Sequence, residues 1–280
     1  MTGTDGILIR PLRGIDEYRA CVRLQEEIWG GNFTERVPPA MLMVAQELGG
    51  VASGAWDGDR LVGFVFGVTG LRGGRLAHWS DMLAVRPEYR NRGLGRRLKL
   101  HQRDEVLARG VETVHWTFEP LESRNAYLNF AKLAVTVREY RRDLYGEPDS
   151  PLHQGLGTDR FVVDWAIDSD RVRARIAGTD RPPTAADVQE LPVANPTRPG
   201  AGGLTCEAPD TDLDVNRLRV AIPAEIQVLK AQAPEPARAW RTHVRAAMES
   251  YLEREFVVME LVRESDERSC YVLERAVLPR

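Results

Sequence analysis

The chain has 280 residues, with 38 Lys and Arg against 41 Asp and Glu and a formal net charge of −3. Its composition, 43 % apolar and 28 % charged, is that of a globular chain of one large or about two average domains. The slight acidic surplus argues against a general nucleic-acid binder. No apolar run approaches the ~20 residues of a membrane span. The opening stretch lacks an apolar signal core. The expectation is a cytoplasmic protein with no nucleic-acid or membrane partner.

Cys21, Cys206 and Cys270 are odd in number and far apart, so reduced thiols are expected. The histidines His78, His101, His115, His153 and His243 form no i, i+3 or i, i+4 pair, and no structural metal is expected.

In chain order, Ile7 to Pro11 is a short β-like run. Asp16 to Trp29 carries apolar residues at helical spacing. Pro38-Pro39 opens a second helix through Leu48, and Gly49-Gly50 stops it. Val51 to Trp56 and Leu61 to Val68 read as strands around an Asp57-Gly58-Asp59 turn. Gly70 to Gly74 makes another turn, and Leu76 to Val85 a third strand. Gly93 to Arg109 is a helix closed by Gly110, and Val111 to Phe118 a strand. Ser123 to Leu133 is helical with Ser123 as its N-cap. Val135 to Tyr140 and Arg160 to Trp165 are strands, and Arg171, Arg173 and Arg175 read as a solvated helix face. The order implies an α/β fold, a mixed sheet with helices on both faces.

Between Arg181 and Gly203 prolines and glycines, Gly202 among them, crowd into a linker or surface wrap. Beyond it come a strand at Arg217 to Ile222, a helix at Pro236 to Glu255, and strands at Phe256 to Val262 and Ser269 to Leu278. The expected organisation is therefore a domain at 1–180, a linker at 181–203 and a smaller β-α-β-β unit at 204–280. Element order alone suggests that this unit is a degenerate echo of half the first domain.

The chemistry concentrates where the third strand runs into Arg86-Pro87-Glu88-Tyr89-Arg90-Asn91-Arg92-Gly93-Leu94-Gly95-Arg96-Arg97-Leu98 and a helix begins. Glycines let a ligand come close to the backbone. The first N–H groups of a helix lack internal partners and, with the helix dipole, suit a phosphate or pyrophosphate. From Arg86 to Arg103 there are seven basic residues and one acid, a local surplus fit for a polyanion. The pattern is neither the dinucleotide fingerprint, since Leu98 stands in place of the third glycine, nor a P-loop. A solvated basic helix face is the plainer alternative.

Leu83-x-Val85-x-Pro87-x-Tyr89-Arg90-x-x-Gly93-x-Gly95 before a helix resembles motif A of the GNAT superfamily of acyl-CoA-dependent N-acyltransferases. The resemblance extends over about residues 7 to 165 in element order and is specific between Asp81 and Leu98. It implies a GNAT-like fold and acetyl-CoA or another acyl-CoA as co-substrate. The backbone of Leu83, Ala84 and Val85 would lie along the pantetheine arm. The stretch Arg90, Asn91, Arg92, Gly93, Leu94, Gly95 and Arg96 would hold the diphosphate, with Arg97 as a further cation. A second segment, Ser123 to Ala134, would add Asn125, Asn129 and Lys132.

Two positions depart from the family pattern. Phe130 stands where many members carry a proton-donating tyrosine, and Ala134 replaces the usual glycine. Tyr127, one helical turn away, is either a substitute acid or a core tyrosine; Tyr140 and Tyr145 are weaker candidates. Asp81 matches the offset of a carboxylate base in some members. By period-two alternation it shares a strand face with Leu83, and it serves as base, substrate contact or backbone acceptor. His78 competes from the opposite strand phase, and Glu119 and Glu122 are amine or water contacts. Arg138, Arg141 and Arg142 form a surface patch or a carboxylate contact.

A wider likeness, in Ile222-Pro223, Ala239-Trp240-Arg241 and Tyr271-Val272-Leu273, is to a bacterial subgroup with a C-terminal extension. Some members of that subgroup are associated with N-succinylation of amino acids. The implied activity is transfer of an acetyl or other short acyl group, succinyl among them, to a primary amine of a small molecule such as an amino acid. A homodimer is one option. A non-catalytic CoA-binding or regulatory module and a nucleotide site at the same helix end remain alternatives.

Overall fold

The computed structural model describes residues 6–146, 156–200 and 203–276. His153, Gly202 and the last residues of the final expected strand, Val277 and Leu278, lie outside the described residues. The chain divides into two compact units. The first runs through Trp116 and includes Ala166–Asp168, and the second holds Thr117–Trp165 and the chain from Ser169 onward. Both are built of sheet and helix, so the fold is mixed α/β. Among the described residues no helix is long and apolar enough to cross a membrane.

The first unit contains β1 (Leu8–Pro11), α1 (Gly14–Trp29), α2 (Pro39–Glu47), β2 (Val51–Asp57), β3 (Arg60–Arg72), β4 (Arg75–Val85) and α3 (Leu94–Leu107), and β5 (Thr113–Phe118) begins in it. The strands lie in the order β1-β2-β3-β4-β5, antiparallel up to β4 and parallel between β4 and β5. β3 is buried from Leu61 to Gly67, so its apolar run is continuous and not alternating, as a strand covered on both faces requires. Leu24 of α1 and Leu42 of α2 pack with Phe64, Phe66, Met82 and Ala84 in one core. The opposite face meets α3, whose Leu98 lies against Gly63. The turn expected at Gly70–Gly74 is tighter in the structure. Gly70 and Leu71 stay paired with Ala77 and Leu76, leaving Gly73 and Gly74 as the loop at φ 58° and 77°, the two-residue geometry that matches strand twist.

The second unit contains α4 (Ser123–Tyr127), a π-helical turn (Leu128–Lys132), β6 (Thr136–Arg141), most of β7 (Arg160–Ala166), α5 (Asp170–Ala177) and α6 (Ala185–Val188). β8 (Thr197–Gly200), β9 (Gly203–Cys206), β10 (Arg217–Pro223), α7 (Ile226–Gln232), α8 (Pro234–Glu253), β11 (Phe256–Arg263) and β12 (Arg268–Arg275) follow. Its strands run β7-β6-β11-β12-β10, all antiparallel, with β8 and β9 as a separate ribbon. The Pro/Gly stretch is ordered into α6, fixed by a Thr184–Asp187 capping box, and β8. α8 buries Trp240, Val244, Met248 and Tyr251, an apolar stripe at helical spacing.

The end of the π-helical turn shows how its carbonyls are satisfied. Arg175 donates to Phe130 O at 2.9 Å, Arg171 to Ala134 O, and Trp165 Nε1 to Leu133 O at 2.8 Å. Glu260 neutralises both arginines. Arg171 and Arg175 are four apart and face inward together, while Arg173 turns out to Asp170. The expectation of a wholly solvated arginine face is corrected accordingly. Ser123 does not cap α4. Its hydroxyl contacts Ser269 Oγ at 2.8 Å, and Glu122 occupies the N-cap position.

Ala134 sits at φ 56°. A left-handed alanine costs about 1–2 kcal/mol, and glycine's extra unfolded-state freedom costs about 0.5–1 kcal/mol. Ala134→Gly is therefore expected to stabilise the chain by about 0.5–1 kcal/mol. In urea unfolding the midpoint should rise at unchanged slope; an unchanged or lower midpoint would contradict the assignment of strain.

Candidate functional site

β4 is irregular where the chemistry is expected. Phe66 pairs with Met82 and Gly67 with Ser80, so Asp81 is the extra residue of a β-bulge. A Cβ on Gly67 would lie 2.4 Å from His78 Nε2 and 2.5 Å from Trp79 O, so no larger residue fits across from the bulge. Bulges bend a strand and re-aim a side chain. Simple alternation through Asp81 omits this step. Asp81 is accessible to solvent but crowded by protein. Desolvation, then the negative charge of Glu35, raise its carboxyl above the ordinary range.

Beyond the bulge β4 has an open side. Among the described residues its ladder with β5 consists of His78↔Val114 and Trp79↔His115, while β4 continues to Val85. Arg86 N donates to Val62 O at 2.9 Å. Ladder partners alternate along an antiparallel strand, so the backbone groups of Ala84 face β3 and those of Leu83 and Val85 face away from it. The Val85 carbonyl accepts from Arg90 Nε at 3.0 Å. Leu83, half-buried, presents its N–H and C=O along this edge.

A 3-10 turn, Pro87–Tyr89, leads to Asn91 at φ 61° and Gly93 at φ 75°. Gly93 is the N-cap of α3, and among the described residues no side chain caps the helix. A Cβ at Gly93 would meet nothing within 4 Å, so left-handed backbone, not crowding, demands glycine here. Asn91, Arg92 and Gly93 are exposed. Exposed N–H groups at an uncapped helix start form a seat for an anion.

The arginines of this stretch are partly committed elsewhere. Arg86 pairs with Glu27 and donates to Leu61 O, and Arg97 donates to Ile7 O at 2.7 Å. Arg92 lies over the Tyr89 ring at 5.8 Å. These contacts help to hold the turn in place.

His78 is fully buried, with Nδ1 at 2.9 Å from Thr69 Oγ1 and Nε2 at 3.0 Å from Gln102 Nε2. Burial lowers it to about 3. It is a neutral core histidine and not a rival to Asp81.

In the second unit the remaining candidates share one helical stretch. Asn125 is exposed, and Tyr127 is 43 % exposed with Lys132 Nζ 5.3 Å from its ring. Tyr127 is therefore not a core tyrosine. Asn129 is 1 % exposed and its Nδ2 has no hydrogen-bond partner among the described residues, the buried donor that a ligand or water would satisfy. Phe130 is fully buried against Phe118 and Tyr271.

Glu119 is buried between Arg241, at 2.6 Å, and Arg160, at 3.5 Å. Glu122 holds Gln227, and burial raises its pKa. Arg142 pairs with Glu249, Arg141 with Glu139, and Tyr140 with the buried Asp159. These groups are spent on structure.

Residues 18–133 match the Acetyltransferase (GNAT) family model. The GNAT match takes in the β4–turn–α3 stretch of the first unit and Asn125 to Leu133 of the second. No curated protein matches the sequence. Among solved structures, the ribosomal-protein-S18-alanine N-acetyltransferase from Escherichia coli is 18 % identical at a TM-score of 0.45, covering 58 % of this chain and 95 % of its own. Naa50 from Arabidopsis thaliana, solved with the bisubstrate analogue CoA-Ac-MVNAL, is 16 % identical at 0.45, covering 56 % and 97 %. A GNAT-family acetyltransferase from Streptococcus pneumoniae is 16 % identical at 0.45, covering 56 % and 97 %.

Within the matched segment, sequence reasoning missed Lys99. It counts as one more cation of a basic run, yet it is 4 % exposed. Gln102 and Val106, three and seven residues further along the helix, are buried on the same face, and that helical phase was the available signal.

Proposed function

We propose that the protein transfers an acetyl or other short acyl group from acyl-CoA to a primary amine of a small molecule, by direct attack in a ternary complex. The observation that carries this reading is the uncapped, left-handed start of α3 beside the open edge of β4, inside a segment matching an acetyltransferase family. The N–H groups from Arg92 to Arg96 would hold the CoA diphosphate. Leu83 would pair with the pantetheine amides like an added strand, and its N–H would polarise the thioester carbonyl. Asn125, Asn129 and Lys132 are proposed as further CoA contacts.

Asp81 is the proposed base. An ammonium must lose a proton before its nitrogen can attack, and a carboxylate with a raised pKa accepts one more readily. Because the shift is upward, Asp81 becomes protonated and idle at a higher pH than an ordinary carboxylate, and activity falls on that acid side. Phe130 has no proton to give. The exposed phenol of Tyr127 is the proposed donor to the departing thiolate.

The test is a panel of amines with acetyl-CoA and with succinyl-CoA, followed by thiol release. Turnover on at least one amine supports the proposal. Asp81→Asn is expected to lower kcat/KM by about 10²–10⁴-fold and to remove the acid-side inflection. An unchanged rate and profile would dismiss Asp81 as base. The phenylalanine at 130 favours a second reading, a CoA-binding regulatory module. CoA binding with no turnover on any amine would select it.

A further inference from the structure

Burying an ammonium without a counter-charge is costly, yet Lys99 Nζ has only uncharged neighbours. Ser80 Oγ is at 2.6 Å, Gln102 Oε1 at 3.4 Å and the Trp116 ring centroid at 3.8 Å. Among the described residues no carboxylate pairs with it. Gln102 is oriented by His78, which takes its amide nitrogen at 3.0 Å and leaves the amide oxygen to Lys99.

The position gives this arrangement meaning. Among the described residues Trp79 and His115 form the last β4–β5 pair, and Ser80 and Trp116 are the next residue on each strand. Lys99, reaching from α3, touches both sides of the fork where the ladder ends. Asp81 and its bulge follow directly.

We propose that Lys99 is a positioning residue that ties β4 to β5 at the fork through Ser80 and the face of Trp116, and that the tie tightens when the amine is protonated and slackens when it is neutral. The contact with Ser80 survives in either form, but attraction to the ring face needs the cation. The inference deepens the acyl-transfer reading and rests on it for its catalytic consequence, since the fork lies just ahead of Leu83.

Burial lowers Lys99 to about 7, so both forms coexist in neutral solution. Other ionisable groups lie close by. On β4, His78 feels the Lys99 charge and stays neutral, and Asp81 adjoins Ser80. On β5, His115 precedes Trp116 and contacts Arg72 of β3. On α3, Arg96 and Arg103 are one turn to either side and Arg109 acts on His78.

The test is a tryptophan-emission titration of the ligand-free chain across neutral pH. Wild type is expected to show a transition with a midpoint near 7. The transition should vanish in Lys99→Met and in Trp116→Phe, while Lys99→Arg should hold the acid-side emission throughout. Should Lys99→Met fail to fold, the arginine and Trp116→Phe variants still decide. No transition in wild type, or one that persists in Trp116→Phe, overturns the proposal. The titration uses no acyl-CoA, so its outcome is separate from calorimetry with CoA. A chain that titrates but binds no CoA loses the acyl-transfer reading alone, and a chain that binds CoA without titrating loses this inference alone.

Discussion

Replacing Gly93 by valine is expected to weaken CoA binding by about 10²–10⁴-fold while the chain still folds. Gly93 is at φ 75° with open space where a side chain would begin. A β-branched residue held there costs about 1–3 kcal/mol, well within a stability of about 5–15 kcal/mol. The cheaper response is for the turn to abandon the left-handed angle, which re-aims the N–H groups around Arg92 to Leu94. Each hydrogen bond to a charged group contributes about 1.5–3 kcal/mol. Losing two weakens binding by about 10²–10⁴-fold. Calorimetry with CoA reads the affinity and circular dichroism the fold. Near-wild-type affinity in Gly93→Val would remove the turn from the account.

The other large effect lies far from the turn in sequence. Arg241 of α8 is 5 % exposed, with Glu119 Oε1 at 2.6 Å, Asp159 Oδ2 at 3.7 Å and its Nε donating to Leu156 O at 2.9 Å. Arg245 adds a two-pronged contact to Asp159 at 2.6 and 2.7 Å. Removing Arg241 leaves the buried Glu119 with the more distant Arg160 at 3.5 Å, and breaking a buried pair in this way costs about 3–5 kcal/mol. Arg241→Met should therefore lower Tm by roughly 6–20 °C, at about 2–4 °C per kcal/mol for a chain of this class. Glu119→Gln added to Arg241→Met should restore part of the loss, because the orphaned charge is then gone. No coupling between the two changes would refute the role assigned to the pair.

The same cluster sets an acid limit. Asp159 is desolvated, but hydrogen bonds from Arg245 and Tyr140 and the charge of Arg241 hold its carboxyl below the usual carboxylate range. A depressed carboxylate stabilises fully above its unfolded pKa, and that contribution fades as pH falls through the folded value. Removing the chain after Thr179 would strip Arg241 and Arg245 from buried carboxylates and take Tyr271 from the ring of Phe130.

Local features were the most legible in the sequence. Apolar spacing in Asp16–Trp29, the Pro38-Pro39 start of α2 and the Gly93 turn all act within a few residues, where propensity and capping decide. Features that depend on a partner strand were not legible. The bulge at Asp81 exists because β3 offers one residue fewer there, and nothing within β4 announces it. Lys99 reads as a surface cation until α3 is rolled onto Ser80 and Trp116. Arg175 and Arg241 likewise count as solvated charges until Glu260 and Glu119, distant in sequence, come to meet them. Ala134 is a partial exception: its departure from a glycine pattern was visible, and the positive φ explains what the glycine is for.

The most direct test of the central claim is a crystal structure grown with CoA. The account predicts diphosphate oxygens within hydrogen-bonding distance of the N–H groups from Arg92 to Arg96 and the pantetheine arm alongside Leu83. CoA bound elsewhere on the chain, with the Gly93 turn left to solvent, would contradict it.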